Sequence, residues 1–455
     1  MDSTKRPGAS LSSLARRYGT PLFVFSEETI TNNIRQLRRV FGARIPKLHL
    51  FYAVKANSNL AVLRTIRKNG VGAEIASEGE MFLALLAGFR PGQIEFNGPA
   101  KTDRELELSA KLGLAGVNLD SLDELHRLHA AAMRTKKSIR ISFRVRPDVS
   151  AGADVIQTGT HDSKFGVAHE DALAAYEEAL KLAPVIQIAG IHAHVGSQNT
   201  SLESWKAFVT VLARLTRDVE RKLGIRFEHI NLGGGIPATY GRDEIHRPLP
   251  DYLAARPDDA AIADVVASSL EANDARGYRI ILEPGRRIVA ESGVLLTRVV
   301  STKRTREGDR WLYVDAGFNI LPSSRILKWY YQAFPVEGPH EGPAADYRIA
   351  GPLCDGNDLF HDLEGEQAGR PLLPRYRKLP EGMGDGDLLG LRDVGAYNLE
   401  LTTHFNGRLR PGAAMIDARG KAHLICRPET NLDLVGVEPH SKTAAKRIQE
   451  RMRLD

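Results

Sequence analysis

From residue 49 to residue 283 the chain alternates short apolar runs with amphipathic stretches that carry apolar positions at helical spacing. The runs occupy residues 49–54, 71–75, 94–97, 116–119, 139–145, 186–192, 228–231 and 279–283. Continuous apolar runs of this length are what strands look like when both of their faces are buried, as happens in parallel sheets covered by helices. Eight of them, with helices between, predict an α/β protein built on a (β/α)8 barrel. In such a barrel the chemistry gathers at the C-terminal ends of the strands.

Beyond Gly285 the texture changes. VLLTRVVS (294–301), RWLYVDAG (310–317), DLLGLRDVGAY (387–397), AAMIDA (413–418) and HLICR (423–427) are β-type runs divided by Gly, Pro and charged turns. They predict a C-terminal β domain of sandwich or barrel-like form, which LFVF (22–25) joins from the N-terminal side. The expected domains are therefore residues 1–35 as a segment of the β domain, 36–290 as the barrel and 291–455 as the β domain. Residues 238–260 and 335–345, rich in Pro, Asp and Gly, read as loops.

Composition narrows the class. A chain of 455 residues with 42% hydrophobic residues is too long for one core and has ample material for two. The net charge of +6 is spread along the chain and not gathered into a basic, aromatic-laced patch, so nucleic acid is not an expected partner. The basic stretch 442–453 reads as a solvated helix face. No run approaches the roughly 20 apolar residues of a membrane span, and MDSTKRPGASLSS lacks the apolar centre of a signal peptide. Two cysteines, Cys354 and Cys426, cannot make a disulfide framework and suit a reducing compartment, so a cytoplasmic protein is expected.

Four sets of residues carry candidate chemistry. Lys55, in YAVKAN (52–57), follows the first apolar run. A lysine on a rigid apolar scaffold loses solvation of its ammonium, which exposes the neutral amine for attack on an aldehyde cofactor, and this points to pyridoxal phosphate. The bland alternative is a strand-end lysine snorkelling to water. Gly233, Gly234 and Gly235, after the seventh run, leave backbone amides open to an anion where such barrels bind phosphate, although a tight turn also needs glycine. In GIHAHVGSQ (190–198), His194 stands where a ring can lie over a cofactor and Ser197 where a hydroxyl can reach phosphate. His192 and His194 can equally be satisfied core histidines, and with no Asp, Glu or Cys at ligand spacing no metal is expected. Glu283, in EPGR (283–286), puts a carboxylate at the barrel mouth, where it can hold a proton on a pyridine nitrogen. Its alternative is a structural ion pair with Arg286 or Arg287.

Together these motifs resemble the fold-type III pyridoxal-phosphate decarboxylases, the diaminopimelate and ornithine decarboxylase group with an alanine-racemase-like barrel. The resemblance runs from LARRYGTPLFVF (14–25) through YAVKAN, GAEIASEGE (72–80), NGPAKT (97–102), NLDSLDEL (118–125), FRVRP (143–147), SKFG (163–166), HVGSQ, LGGG, EPGR and DAG (315–317) to GPLCDGNDLF (351–360), GAYN (395–398) and FNGRLRP (405–411). It implies Lys55 as the Schiff-base lysine, His194 stacked on the cofactor ring and Glu283 on the pyridine nitrogen. Ser197, Gly233, Gly234, Gly235, Gly285, Arg286 and Tyr397 would bind phosphate, with Glu74 and Arg144 flanking the site. It further implies a homodimer with shared active sites, the second copy donating Cys354 and, as substrate ligand, Asp355, with either Cys354 or Lys55 returning a proton to Cα.

The chain departs from the diaminopimelate pattern after DAG. FNILPSSRILKWYYQAF (318–334) stands where an Arg-Pro…Tyr segment usually grips the distal carboxylate, Asp355 stands where Glu follows the cysteine, and Glu74 stands for Asp. Arg325 or Lys328 can replace the missing arginine and Asp355 can take an amine, joining Arg286 and Tyr397 as substrate ligands. A substrate bearing both groups, such as diaminopimelate, fits best. A larger acidic conjugate from a siderophore or antibiotic pathway comes next, then ornithine, lysine or arginine. A racemase is disfavoured by Glu283, and a non-catalytic homologue by the presence of Lys55, the glycines and Cys354.

Overall fold

All eight runs form strands, and the strands close on themselves. The computed structural model describes residues 10–150, 158–159, 163–240, 253, 256–327, 329–338, 343–361, 373–438, 443, 448 and 452. After a first strand β1 (Leu22–Ser26) come β2 (Leu48–Ala53), β3 (Gly72–Ile75), β4 (Ile94–Phe96), β5 (Gly116–Leu119) and β6 (Ile139–Arg146). A two-residue strand β7 (Val167–Ala168) extends β6, and β8 (Ile186–His192), β9 (His229–Asn231) and β10 (Arg279–Leu282) follow. Parallel pairings run β2–β3–β4–β5–β6–β8–β9–β10, and β10 returns to β2 through Leu282 opposite Leu50. The ring is a closed eight-stranded barrel.

Between the strands the chain begins its helices with short polar side chains that accept otherwise unpaired amides. Ser77, Thr102, Ser121, Ser201 and Asp258 each take the backbone N–H three residues on. At Thr102 the bond is reciprocal, because Glu105 reaches back to the Thr102 amide. At Ser77 and Ser121 the cap comes two residues after the strand ends at Ile75 and Leu119, which keeps those turns short. One boundary differs from expectation. The first barrel strand, β2, stops at Ala53, and Val54–Ala56 form a 3-10 turn closed by the Asn57 amide on the Val54 carbonyl, so Lys55 lies on a turn and not on the strand.

The chain divides into two compact units, one of Ile30–Ala238 and Ala255–Val289, the other of Met1–Thr29, Thr239–Ala254 and Ala290–Asp455. The second unit holds one connected mixed sheet of nine strands. Its centre is β11 (Gly293–Arg304), whose first half runs antiparallel to both β1 and β16 (Leu388–Arg392) and whose second half pairs with β12 (Arg310–Val314) beyond a bulge at Val299 and Ser301. LFVF joins this sheet as expected, with β1 also parallel to β17 (Gly412–Ile416). β13 (Ala333–Glu337), β14 (Ala344–Ala350), β15 (Arg377–Pro380) and β18 (Ala422–Cys426) complete it. Leu11, Leu14, Leu22, Val24, Val294, Leu296 and Leu388 form a buried cluster over it.

The stretch 335–345, read as a loop, therefore contributes to two strands at its ends. Pro335 is tolerated because β13 pairs only with β16 and its register breaks between Pro335 and Glu337. Among the described residues no helix is long and apolar enough to cross a membrane.

Candidate active site

Because β2 ends in a tight turn, Lys55 projects from the C-terminal end of the barrel, and its Nζ lies 2.9 and 3.1 Å from the two oxygens of Glu74 at the end of β3. Glu74 is buried, whereas the lysine side chain keeps 47% of its surface. The expected desolvation of Lys55 is thus corrected: a half-exposed ammonium rests on a buried carboxylate, and ion pairing favours its charged form. Glu80, four residues beyond Ala76 whose amide it accepts, is a second acid nearby. Burial and the charge of Glu74 push it up to about 7.

Next to Lys55, across the β2–β10 pairing, stands Glu283. Burial alone would push its carboxyl up. The buried His192 beside it, with Lys55 and an Asn231 hydrogen bond, holds it below the usual carboxylate range. Asn231 Nδ2 donates to Oε1 at 2.7 Å, Asn97 Nδ2 donates to Oε2 at 3.0 Å, and His192 Nε2 lies 3.4 Å from Oε2. The alternative ion pair with Arg287 does not occur, since Arg287 is taken by Asp259 at 2.7 Å.

The glycine run packs tightly against the ends of β8 and β10. A Cβ on Gly233 would come within 2.8 Å of the Ala193 carbonyl, and one on Gly234 within 2.8 Å of the Glu283 carbonyl. Two of the three amides serve the chain itself: Gly233 donates to Asn231 Oδ1 at 2.8 Å and Gly234 to His194 Nδ1 at 3.2 Å. The cradle of three open amides is therefore narrowed to Gly235, and the other two glycines orient site side chains. With Nδ1 accepting, the His194 ring is the neutral tautomer carrying its proton on Nε2. Burial, then Arg144 and Lys55, keep its pKa well below the ordinary value.

Two more expected residues meet here. Arg286 Nε donates to Ser197 Oγ at 3.1 Å, which gathers a guanidinium and a hydroxyl at the ends of β8 and β10. The Gly285 carbonyl accepts from Ile288 at 3.0 Å and opens the short helix Arg286–Val289. Arg144, buried near the end of β6, lies 4.1 Å over the Phe165 ring, and burial lowers its pKa.

In the other unit Cys354 is exposed and its amide donates to Asn406 at 2.7 Å. Arg325, in the helix Pro322–Ile326, lies 3.6 Å from Asp355 and 4.6 Å over the Phe318 ring. Tyr397 is half-buried in a turn at a φ of 57°. Lys328 lies outside the described residues.

Residues 27–290 match the family model of the pyridoxal-dependent decarboxylases, over their pyridoxal-binding domain. The chain belongs to this family. Over 430 residues it is 35% identical to the diaminopimelate decarboxylase of Methanothermobacter thermautotrophicus, covering 94% of each chain. Over 410 residues it is 34% identical to the enzyme of the same name from Archaeoglobus fulgidus, covering 90% of each. Among solved structures, diaminopimelate decarboxylase from M. jannaschii in co-complex with L-lysine is similar at 30% identity, with a TM-score of 0.82 and 93% of each chain covered.

A pyridoxal-dependent decarboxylase needs an amine for the cofactor aldehyde, an acid for the pyridine nitrogen and cationic or amide donors for the phosphate. The donor set of this barrel fits: Lys55, an anionic Glu283, and Ser197 with Arg286 beside Gly235. The residues that sequence reading missed are polar ones in or directly after the strands, Glu95, Asn97, Asn118 and Asn231, all buried. Their signal was present as polar residues interrupting apolar runs. It reads as ordinary alternation until the barrel closes.

Proposed function

We propose that this pyridoxal-dependent decarboxylase removes CO2 from diaminopimelate to give lysine. The reading is carried by Lys55 and Glu283 standing at the ends of adjacent strands, and is supported by the relatives named above. When bound, pyridoxal phosphate supplies an electron sink for the pair released with CO2. Lys55 is the amine that receives the aldehyde, with Glu74 orienting it. Glu283, kept anionic by His192 and two amides, stabilises a proton on the pyridine nitrogen. His194, neutral and fixed by Gly234, would face the ring without competing for that proton. Ser197, Arg286 and the Gly235 amide would hold the phosphate.

Arg325 and Asp355 carry opposite charges 3.6 Å apart, the complement of an ammonium and a carboxylate on one carbon, and a second copy would bring them to the far end of the substrate. Cys354 returns the proton to Cα. Its exposure in a single chain supports delivery from a second copy, and hence a homodimer with shared sites. The two free cysteines support a cytoplasmic setting.

A larger acidic conjugate is the second reading, favoured because Arg325 sits on a helix within a segment that lacks the usual Arg-Pro…Tyr pattern. CO2 release measured across diaminopimelate, lysine, ornithine, arginine, glutamate and acidic conjugates decides between them. Diaminopimelate should turn over fastest. A faster conjugate moves the assignment to the second reading, and enantiomer exchange without CO2 overturns both in favour of a racemase.

A further inference from the structure

Glu95 lies within β4, inside the barrel, and no role has been given to it. It belongs to a run of buried, hydrogen-bonded side chains. Asn231 Nδ2 donates both to Glu95 Oε2 at 3.0 Å and to Glu283 Oε1 at 2.7 Å. Asn97 Nδ2 donates to the other oxygen of Glu283 at 3.0 Å, and Asn118 Nδ2 donates to Asn97 Oδ1 at 2.5 Å. Two carboxyl groups therefore share a single amide.

We propose that Glu95 is a positioning residue: the neutral, proton-bearing acid that shares the Asn231 amide with Glu283, so that Asn231 and Asn97 fix both oxygens of Glu283 and leave Glu283 as the anion. The proposal rests on Glu283 serving the cofactor ring, as above. The charges around the pair come from every neighbouring strand end: Lys55 after β2, Glu74 on β3, Arg144 on β6, His192 on β8, His194 beyond it and Glu283 after β10. The positive side of this set falls on Glu283, which has His192 at 3.4 Å and Lys55 across the strand pair. Glu95 has only asparagine partners, and two like charges sharing a buried site do not both ionise. Burial, then Glu283 and Glu74, push Glu95 up to about 8.

Linkage sets the sign. The folded state keeps a proton on Glu95 that the unfolded chain loses near pH 4.5, so its contribution to stability is full below that and falls as pH rises toward 8. Infrared difference spectra of the full chain, with and without pyridoxal phosphate, should show a protonated-carboxyl C=O band at pH 7 that is absent in Glu95→Gln. The melting temperature of Glu95→Gln should rise above wild type progressively between pH 5 and 8. Glu95→Leu removes one of the two acceptors that hold the Asn231 amide against Glu283, so its dissociation constant for pyridoxal phosphate should rise roughly tenfold, and Glu95→Gln should restore most of the affinity.

An unchanged infrared band in Glu95→Gln, a melting profile parallel to wild type at every pH, or wild-type cofactor affinity in Glu95→Leu overturns the proposal. If Glu95→Leu does not fold, the glutamine variant decides alone. The band is read without cofactor as well, so its loss is separable from failure of the Lys55 reading, which shows instead as missing visible absorbance when pyridoxal phosphate is added.

Discussion

Lys55 and Glu74 form a lopsided ion pair: the lysine is half-exposed, while the carboxylate that receives its Nζ on both oxygens is almost wholly buried. Removing the lysine strands a buried charge, whereas removing the acid frees an amine that water can solvate. The two losses should not be equal, and the pair should be coupled. A double-mutant cycle of Lys55→Ala and Glu74→Gln, read by chemical denaturation without cofactor, should return a coupling of about 1 kcal/mol, modest because one partner is solvated. Additive effects would show that the contact is incidental.

Glu283→Gln keeps the shape of the side chain and removes its charge. The pyridine nitrogen then loses the anion that stabilises its proton, and kcat should fall roughly hundredfold, the scale of one electrostatic contact to developing charge. Cofactor absorbance should persist, because Lys55 and the phosphate ligands are untouched. Equal loss of cofactor and of rate would assign Glu283 to binding instead.

Acid should unfold this barrel early. Burial, with Arg140 and Arg279, holds His229 at about 3, and His194 is likewise kept well below its ordinary value. Both are neutral in the folded chain and take up protons on unfolding, so the stability they contribute is present above pH 6.5 and is lost as pH falls. Each should remove about 1.4 kcal/mol per pH unit below 6.5. Denaturation midpoints of wild type and His229→Gln between pH 7 and 5 isolate this term: the variant should lose less stability per pH unit as pH falls, and parallel profiles would contradict it.

If sites are shared between copies, Lys55→Ala and Cys354→Ala damage different halves of one site. Each variant should have little activity alone, and mixing them after gentle dissociation should recover part of it, because one site of each mixed dimer is intact. A mixture no more active than its parts would place Lys55 and Cys354 in the same chain's site.

The barrel was legible because strands buried on both faces are continuous apolar runs. β5 and β8 coincide with the runs at 116–119 and 186–192. What failed to show was long-range polar pairing. Glu283 and Asn97 are 186 positions apart, and nothing local in IEFN or EPGR announces that they meet. The Lys55 side chain was placed at the right strand end, but its solvation was misjudged, because exposure depends on a turn that forms only when the Asn57 amide closes on Val54. The glycine run was found for the freedom of its backbone. The uses of two of its amides depend on His194 arriving after another strand and on the Asn231 side chain folding back from the end of the strand before the run.

Reduction with borohydride after adding pyridoxal phosphate, followed by peptide mass mapping, tests the central claim most directly. The cofactor mass should appear on the peptide containing Lys55 and vanish in Lys55→Ala. Cofactor mass on a different lysine, with Lys55 unmodified, would contradict it.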